Sequence, residues 1–116
     1  MSHASVRAFD VPDEHREFPH GRFEIVHLAG VKFGRATYQP GWKWSQHNAC
    51  SAGTSLCHAP HTGVVLSGHG VVLYETGERI DLLPGHAFHI TTTPHDSWVE
   101  GTEPYVSLHL LSPLPD

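Results

Sequence analysis

From Phe23 onward, the chain alternates short apolar segments with turns. Segments such as FEIVHL and VKFGRATY carry β-branched and aromatic residues that alternate with polar ones or cluster together, and turns containing glycine or proline separate them. This pattern is typical of β-strands. No long stretch repeats its apolar residues with helical spacing. The pattern therefore predicts about eight antiparallel strands that form a sandwich or barrel.

The centre of the chain carries the clearest pair of predicted strands. GVVL and GVVLYE flank the turn sequence SGHG, which predicts a β-hairpin. The segment before this pair begins with PGWKWS and continues through HNACSAGTSLCHAPH, and it is rich in small and polar residues. Loops of this length in a small domain are commonly functional. Several of the histidines lie in this predicted loop.

Residues 1–22 differ from the rest of the chain. They carry mixed charges, two prolines and no sustained period, so we predict an N-terminal arm that precedes a barrel domain of residues 23–116. The arm has no apolar core of the kind found in signal peptides, and no apolar run in the chain is long enough to cross a bilayer. We therefore expect a cytoplasmic protein without membrane association.

Composition narrows the possible functions. With 116 residues, 39% hydrophobic and 16% charged, the chain has the size and apolar content of one folded domain. The formal net charge of −5 argues against nucleic-acid binding, which usually requires a basic surface. Histidine is unusually frequent, with twelve copies, whereas the two cysteines, Cys50 and Cys57, are too few for a disulfide framework. They could pair with each other, or one could be a free thiol or a metal ligand.

Four short motifs together resemble those of a small single-domain cupin. They are PGW-x-W-S-x-His47, Cys57-x-x-x-His61 followed by VVLSG, the turn LPG, and Pro-His95-Asp-x-Trp98. The resemblance covers the chain from about Tyr38 to Leu110. It implies an all-β fold, the antiparallel double-stranded β-helix of the cupin or jelly-roll barrel.

The resemblance also implies a metal site. The first cupin motif contains a His-x-His pair and a glutamate before a closing glycine, and the second contains a histidine after a Pro-Gly turn. By position, His61 stands where the glutamate would be, seven residues before the closing Gly68, and Cys57 stands at the second histidine. His47 corresponds to the first histidine and His95 to the second motif. The implied ligands are therefore His47, Cys57, His61 and His95.

Other residues are candidates for supporting roles. His58 could replace the neighbouring cysteine as a ligand if the thiol points away. Asp96 could orient the histidine that precedes it, as carboxylates often do around metal-bound imidazoles. Trp44, Trp98 and His109 are candidate substrate contacts, because aromatic side chains near the proposed ligands could line a pocket at the barrel mouth.

The implied ligands suggest both a cofactor and a reaction class. Imidazole and thiolate favour zinc, with iron, copper or nickel as alternatives, over magnesium or manganese. An open coordination position would suit a metal-dependent enzyme that acts on a small organic molecule as an oxygenase, isomerase or lyase. A closed site with four protein ligands would suit a non-catalytic sensor or regulatory module. The resemblance also implies a homodimer, because small cupins commonly pair through edge strands and barrel edges need to be covered. The arm of residues 1–22 could add a strand to a neighbour's sheet.

Overall fold

The computed structural model describes residues 3–49 and 53–113. Within these ranges the chain forms nine β-strands and one short helix, and no helix there is long and apolar enough to cross a membrane. The all-β prediction is confirmed. The elements are β1 (Glu14–Phe18), β2 (Gly21–Leu28), β3 (Val31–Tyr38), α1 (Trp44–His47), β4 (His61–Ser67), β5 (Gly70–Tyr74), β6 (Arg79–Leu82), β7 (Ala87–Ile90), β8 (His95–Val99) and β9 (Tyr105–Pro113).

The strands form two antiparallel sheets. One has six strands in the order β1-β2-β3-β9-β4-β7, and the other has three in the order β6-β5-β8. Consecutive strands therefore often lie in different sheets, as in a jelly roll. The side chains that pack between the sheets form one apolar core, made of Trp42, Val65, Val72, Tyr74, Leu82, Ile90, Val99 and Tyr105.

The prediction of a central hairpin is wrong. β4 pairs with β7 and β9, whereas β5 pairs with β6 and β8, so these two strands belong to different sheets. The turn between them has Gly68 at φ +81, where a Cβ would also collide with the carbonyl oxygen of Pro104. Glycine thus lets the chain turn sharply against a neighbouring segment and cross between the sheets. The local pattern of two strands and a glycine turn is the same for a hairpin and for this crossover.

The N-terminal segment lies along the chain's own sheet. β1, within residues 1–22, pairs with β2 from Glu14↔Ile25 to Phe18↔Gly21. The residues before β1 contact Arg35 on β3. Its guanidinium lies 5.3 Å from the Phe9 ring, and its Nη2 donates to Asp10 Oδ1 at 2.8 Å. This segment therefore covers the β2–β3 half of the outer face of the six-stranded sheet.

Candidate metal centre

Three predicted ligands, Cys57, His61 and His95, converge beside the core. Their donor atoms all lie within 4.8 Å of one another. The backbone brings two of them together, because the amide of Cys57 donates to the carbonyl of His95 at 2.8 Å and the amide of His95 donates back at 3.0 Å. His61 begins β4 on the same face as the buried Val65. The group thus joins one strand of each sheet and the segment between α1 and β4.

His95 has the protonation expected of a metal ligand. Its Nδ1 lies 2.8 Å from the carbonyl oxygen of Thr93. Because a carbonyl can only accept, Nδ1 carries the hydrogen, and the lone pair of a neutral ring is on Nε2. The residue is 1% exposed. Among the described residues, its Nε2 is the one buried side-chain nitrogen or oxygen that has no hydrogen-bond partner.

The other two donors lie at a suitable separation. Cys57 Sγ is 3.6 Å from His61 Nε2, and a nitrogen and a sulfur on tetrahedral zinc lie about 3.6 Å apart, given the usual bond lengths. Burial, followed by the nearby His95, lowers the pKa of His61 to about 4. The ring is therefore neutral at pH 7 and able to bind a cation. Burial raises the pKa of the Cys57 thiol, and a bound metal ion would oppose that shift. The residues fit a transition metal.

His47, the fourth ligand implied by the motifs, is not in this group. It lies at the end of α1, where its Nδ1 accepts a hydrogen bond from the Lys43 amide at 3.0 Å. Its ring packs edge-on against His20, with the centroids 4.9 Å apart. The helix explains this position, because its turn brings the ring back to the Lys43 amide.

Asp96 supports the loop and does not contact the ring of the neighbouring histidine. Its carboxylate accepts hydrogen bonds from the Ser45 amide at 3.0 Å, the Ser45 hydroxyl at 2.7 Å and the Ser97 amide at 2.9 Å. These bonds attach the beginning of α1 to β8. The orienting partner of His95 is instead the Thr93 carbonyl, which sequence could not reveal because every residue has a carbonyl.

His109 lies in the barrel interior next to the candidate ligands. Its ring centroid is 5.9 Å from that of His61, and its Nε2 lies 2.9 Å from the Ser107 hydroxyl. The rings of Phe23 and Phe88 pack edge-on against it. Burial, followed by repulsion from His61 when that ring is protonated, lowers the pKa of His109 to about 4. A neutral imidazole therefore borders the candidate centre at physiological pH.

The two tryptophans occupy different positions. Trp44 packs against the apolar core. The ring of Trp98 lies 5.6 Å from the Lys43 ammonium and 5.9 Å from the Arg79 guanidinium, and its Nε1 donates to Glu100. Because Trp98 is three residues after His95 in the same strand, the two side chains point to opposite faces of the sheet.

Two other sequence candidates, His58 and Cys50, lie outside the metal group or outside the described residues. His58 is exposed and lies outside the group, whereas Cys57 is buried within it. Cys50 falls outside the described residues. Sequence reasoning missed Tyr74, whose ring lies 5.6 Å from the His95 ring. The register Tyr74↔His95 between β5 and β8 brings these two together, and no local motif predicts that register.

Comparison with known proteins supports the fold. No family model matches the sequence, and no curated protein matches it. Among solved structures, ectoine synthase from P. lautus aligns with a TM-score of 0.68 at 11% identity, covering 96% of this chain and 80% of that one. KdgF from Halomonas sp. aligns with a TM-score of 0.57 at 24% identity, covering 84% and 83%.

A third similar structure is itself named as a cupin domain. The Cupin_2 domain of an XRE family transcriptional regulator from Enterobacter cloacae aligns with a TM-score of 0.56 at 16% identity, covering 78% of this chain and 94% of that domain. At these identities the similarity concerns the fold and not the reaction. Together with the two antiparallel sheets described above, it identifies this chain as a cupin-fold protein.

Proposed function

We propose that the protein binds a divalent transition metal through Cys57, His61 and His95, and that it is a metal-dependent enzyme acting on a small organic molecule. The observation that carries this proposal is the buried Nε2 of His95, which has no hydrogen-bond partner among the described residues. A buried acceptor without a partner costs about 1–3 kcal/mol. A metal ion would use that lone pair and remove the cost.

Three protein donors suit a catalytic site better than a structural one. Structural zinc sites usually have four protein ligands, whereas catalytic sites have three and leave a position for water or substrate. Among the residues that the structure describes, three donors form the group. When bound, the metal would polarise a substrate oxygen or lower the pKa of a water molecule. Zinc suits the mixed thiolate and imidazole donors, with iron, copper or nickel as alternatives.

The donor set favours a substrate that binds through an anionic oxygen. One thiolate and two neutral imidazoles leave a net charge of +1 on a site that holds a divalent ion. The side chains are buried or half-buried, and net charge is costly in such surroundings. A carboxylate, enolate or hydroxide at the open position would neutralise the site. The position that cupin motifs usually fill with glutamate holds His61 here, so no carboxylate from that position competes.

His109 is the candidate proton carrier of this centre. Its neutral ring adjoins His61, and its Nε2 shares a hydrogen bond with Ser107. A neutral imidazole can accept a proton from a substrate or, in its other tautomer, donate one. Oxygenase, isomerase and lyase reactions all remain compatible with these residues, because the fold does not select among them.

The alternative is a non-catalytic regulatory module. Two of the similar structures are a cupin domain of an XRE family regulator and an HTH_3 family transcriptional regulator from Vibrio cholerae. In this reading a fourth protein ligand would close the metal site, and metal or ligand occupancy would be the signal.

Metal analysis tests the proposal. We expect one metal ion per chain in untagged protein after exposure to zinc, none in His61→Ala, and full occupancy in His58→Ala, a matched control at an exposed histidine nearby. Full occupancy of His61→Ala would refute the site. Substitution with cobalt(II) then separates the two functions, because added azide should change the visible spectrum of an open site and leave that of a closed site unchanged.

We also propose that the protein forms a homodimer through the outer face of its six-stranded sheet. The N-terminal segment covers this face at β2 and β3, where Val26 is 3% exposed. The adjoining β4 and β9 keep Val64, Leu66 and Leu110 at 40–54% exposure. An apolar patch of this kind on a sheet face usually marks an association surface. A second copy would cover it while leaving the metal group on the opposite, inner face.

A further inference from the structure

A cavity lies between strands β6 and β7, beside the metal group. β6 is one edge strand of the three-stranded sheet and β7 is one edge strand of the six-stranded sheet, and they do not pair with each other. The cleft between them has a volume of about 520 Å³, within the range of small-molecule sites, about 300–1,000 Å³. Its described lining includes none of the three candidate metal ligands.

The middle of the cleft is apolar. Ile80 and Leu82 of β6 line one wall, and Phe88 and Ile90 of β7 line the other. These side chains belong to the barrel core or pack against it. The slot between the two sheet edges therefore leaves part of the core open to a ligand.

The two ends of the cleft carry polar groups of different kinds. At one end, Tyr74 accepts a hydrogen bond from the Thr91 amide at 2.9 Å, and its own amide donates to the carbonyl of Glu78 at 2.9 Å. At the other end, the turn before β7 contacts β4, where the amide of Val65 donates to the carbonyl of His86 at 2.9 Å. Glu78 and His86 therefore lie at opposite ends of the slot.

These two residues offer complementary hydrogen-bonding groups. Within the described residues, the Glu78 carboxylate makes no hydrogen bond or ion pair, whereas the other acidic lining residue, Asp81, is paired with His69 and Arg79. His86 Nδ1 accepts the Leu83 amide at 3.2 Å, so in the neutral ring the hydrogen lies on Nε2. One end thus presents a negative acceptor, and the other presents a donor.

We propose that this cleft is a second binding site, for an elongated small molecule with an apolar middle, an amine at the Glu78 end and a carboxylate or carbonyl at the His86 end. The proposal goes beyond the metal-dependent function and does not depend on it. The apolar walls would supply most of the affinity, and the two polar ends would select the ligand and its orientation.

The isoleucines provide a direct readout. The chain has three, Ile25, Ile80 and Ile90, and the last two line the cleft while Ile25 is buried on β2. Chelator-treated protein with labelled isoleucine methyl groups would be titrated with ε-aminocaproate, which has an amine, an apolar chain and a carboxylate. Caproate and n-hexylamine serve as probes that lack one end each. Because no metal is present, failure of this experiment is distinct from failure of the metal proposal.

We expect saturable shifts of the Ile80 and Ile90 methyl signals with ε-aminocaproate, an unchanged Ile25 signal, and weaker binding of both single-ended probes. Glu78→Gln should weaken binding about tenfold, because it removes a charge-assisted hydrogen bond. Glu75→Gln is the matched control, since Glu75 is exposed and does not line the cleft. The proposal is overturned by the absence of saturable shifts at Ile80 and Ile90, by equal shifts of all three signals, or by equal effects of the two glutamine variants.

Discussion

Metal binding should raise the thermal stability of the protein. The three donors come from separate parts of the chain, and the backbone pair of Cys57 and His95 holds two of them together only when the chain is folded. A ligand that binds the folded state and not the unfolded one stabilises the folded state by mass action. Adding zinc to chelator-treated protein is therefore the perturbation, and the melting temperature is the measured quantity.

The expected rise in melting temperature follows from the free-energy gain on zinc binding and the entropy of unfolding. At a free zinc concentration of 100 times the dissociation constant, the gain is about 2.7 kcal/mol. At about 2.1 cal/mol/K per residue, the 116 residues give an unfolding entropy of about 240 cal/mol/K. Dividing the free-energy gain by the unfolding entropy gives a rise in melting temperature of about 11 °C. Zinc binding to cysteine and histidine of the unfolded chain would reduce this value.

Two histidine variants make the test specific. His61→Ala should abolish the zinc-dependent rise, measured by calorimetry or by circular dichroism at several zinc concentrations. His47→Ala should retain it, because His47 lies on α1 and bonds to Lys43. A rise that survives in His61→Ala, or that disappears in His47→Ala, would refute the assignment of the site. The loss in His47→Ala would favour the ligand set that the motifs imply, which includes His47, whereas a rise that survives in His61→Ala would contradict both ligand sets.

Three further predictions concern the loop anchor, the dimer and the N-terminal segment. Asp96→Ala should lower the free energy of unfolding, measured in urea, by about 2–4 kcal/mol, because it leaves two amides and a hydroxyl without their acceptor. Metal stoichiometry should stay unchanged, and loss of metal would mean that Asp96 orients His95 after all. Leu66→Lys should convert a dimer to a monomer in sedimentation velocity, and a wild type that sediments as a monomer would refute the dimer. Asp13 accepts the amide of His27 at 2.7 Å, and this bond, followed by the bond from Arg7, lowers the pKa of its carboxyl below 3.8. The stabilisation from this carboxylate is thus present above about pH 3.8 and is lost as pH falls through the lower pKa of the folded state. The His27 amide should therefore lose protection from hydrogen exchange in that range, before the barrel unfolds.

The motifs predicted three of the donors, Cys57, His61 and His95, and for His61 the strand pattern also predicted the direction of the side chain. His61 has a fixed position before VVLSG, and strand alternation then determines its face. His47 could not be placed in this way, because α1 interrupts the predicted loop and Asp96, which anchors it, is distant in sequence. The helix is only four residues long, too short for a periodic pattern to predict, and Asp96 anchors its first turn.

Strand pairing was the least predictable feature. GVVL, SGHG and GVVLYE satisfy every local criterion of a hairpin, yet the two strands belong to opposite sheets. The choice depends on Gly68 packing against the segment that leads into β9, a contact between residues far apart in sequence. The same long-range register brings Tyr74 to His95. Candidate ligands can therefore be read from a motif, whereas the residues that surround them depend on the topology.

Tyr74 separates the two proposed sites. Its ring contacts the ring of His95, and its hydroxyl lines the cleft between β6 and β7 and accepts the Thr91 amide. A substitution of this buried residue would disturb both sites and could not distinguish between them. His61 and Glu78 can, because His61 does not line the cleft and Glu78 is not among the metal donors. If the sites are independent, His61→Ala removes metal binding and retains ε-aminocaproate binding, and Glu78→Gln does the reverse. If zinc changes the affinity for ε-aminocaproate, the same coupling must appear as a change in zinc affinity caused by ε-aminocaproate. Tyr74 and Thr93 both line the cleft and contact His95, so they connect the two sites.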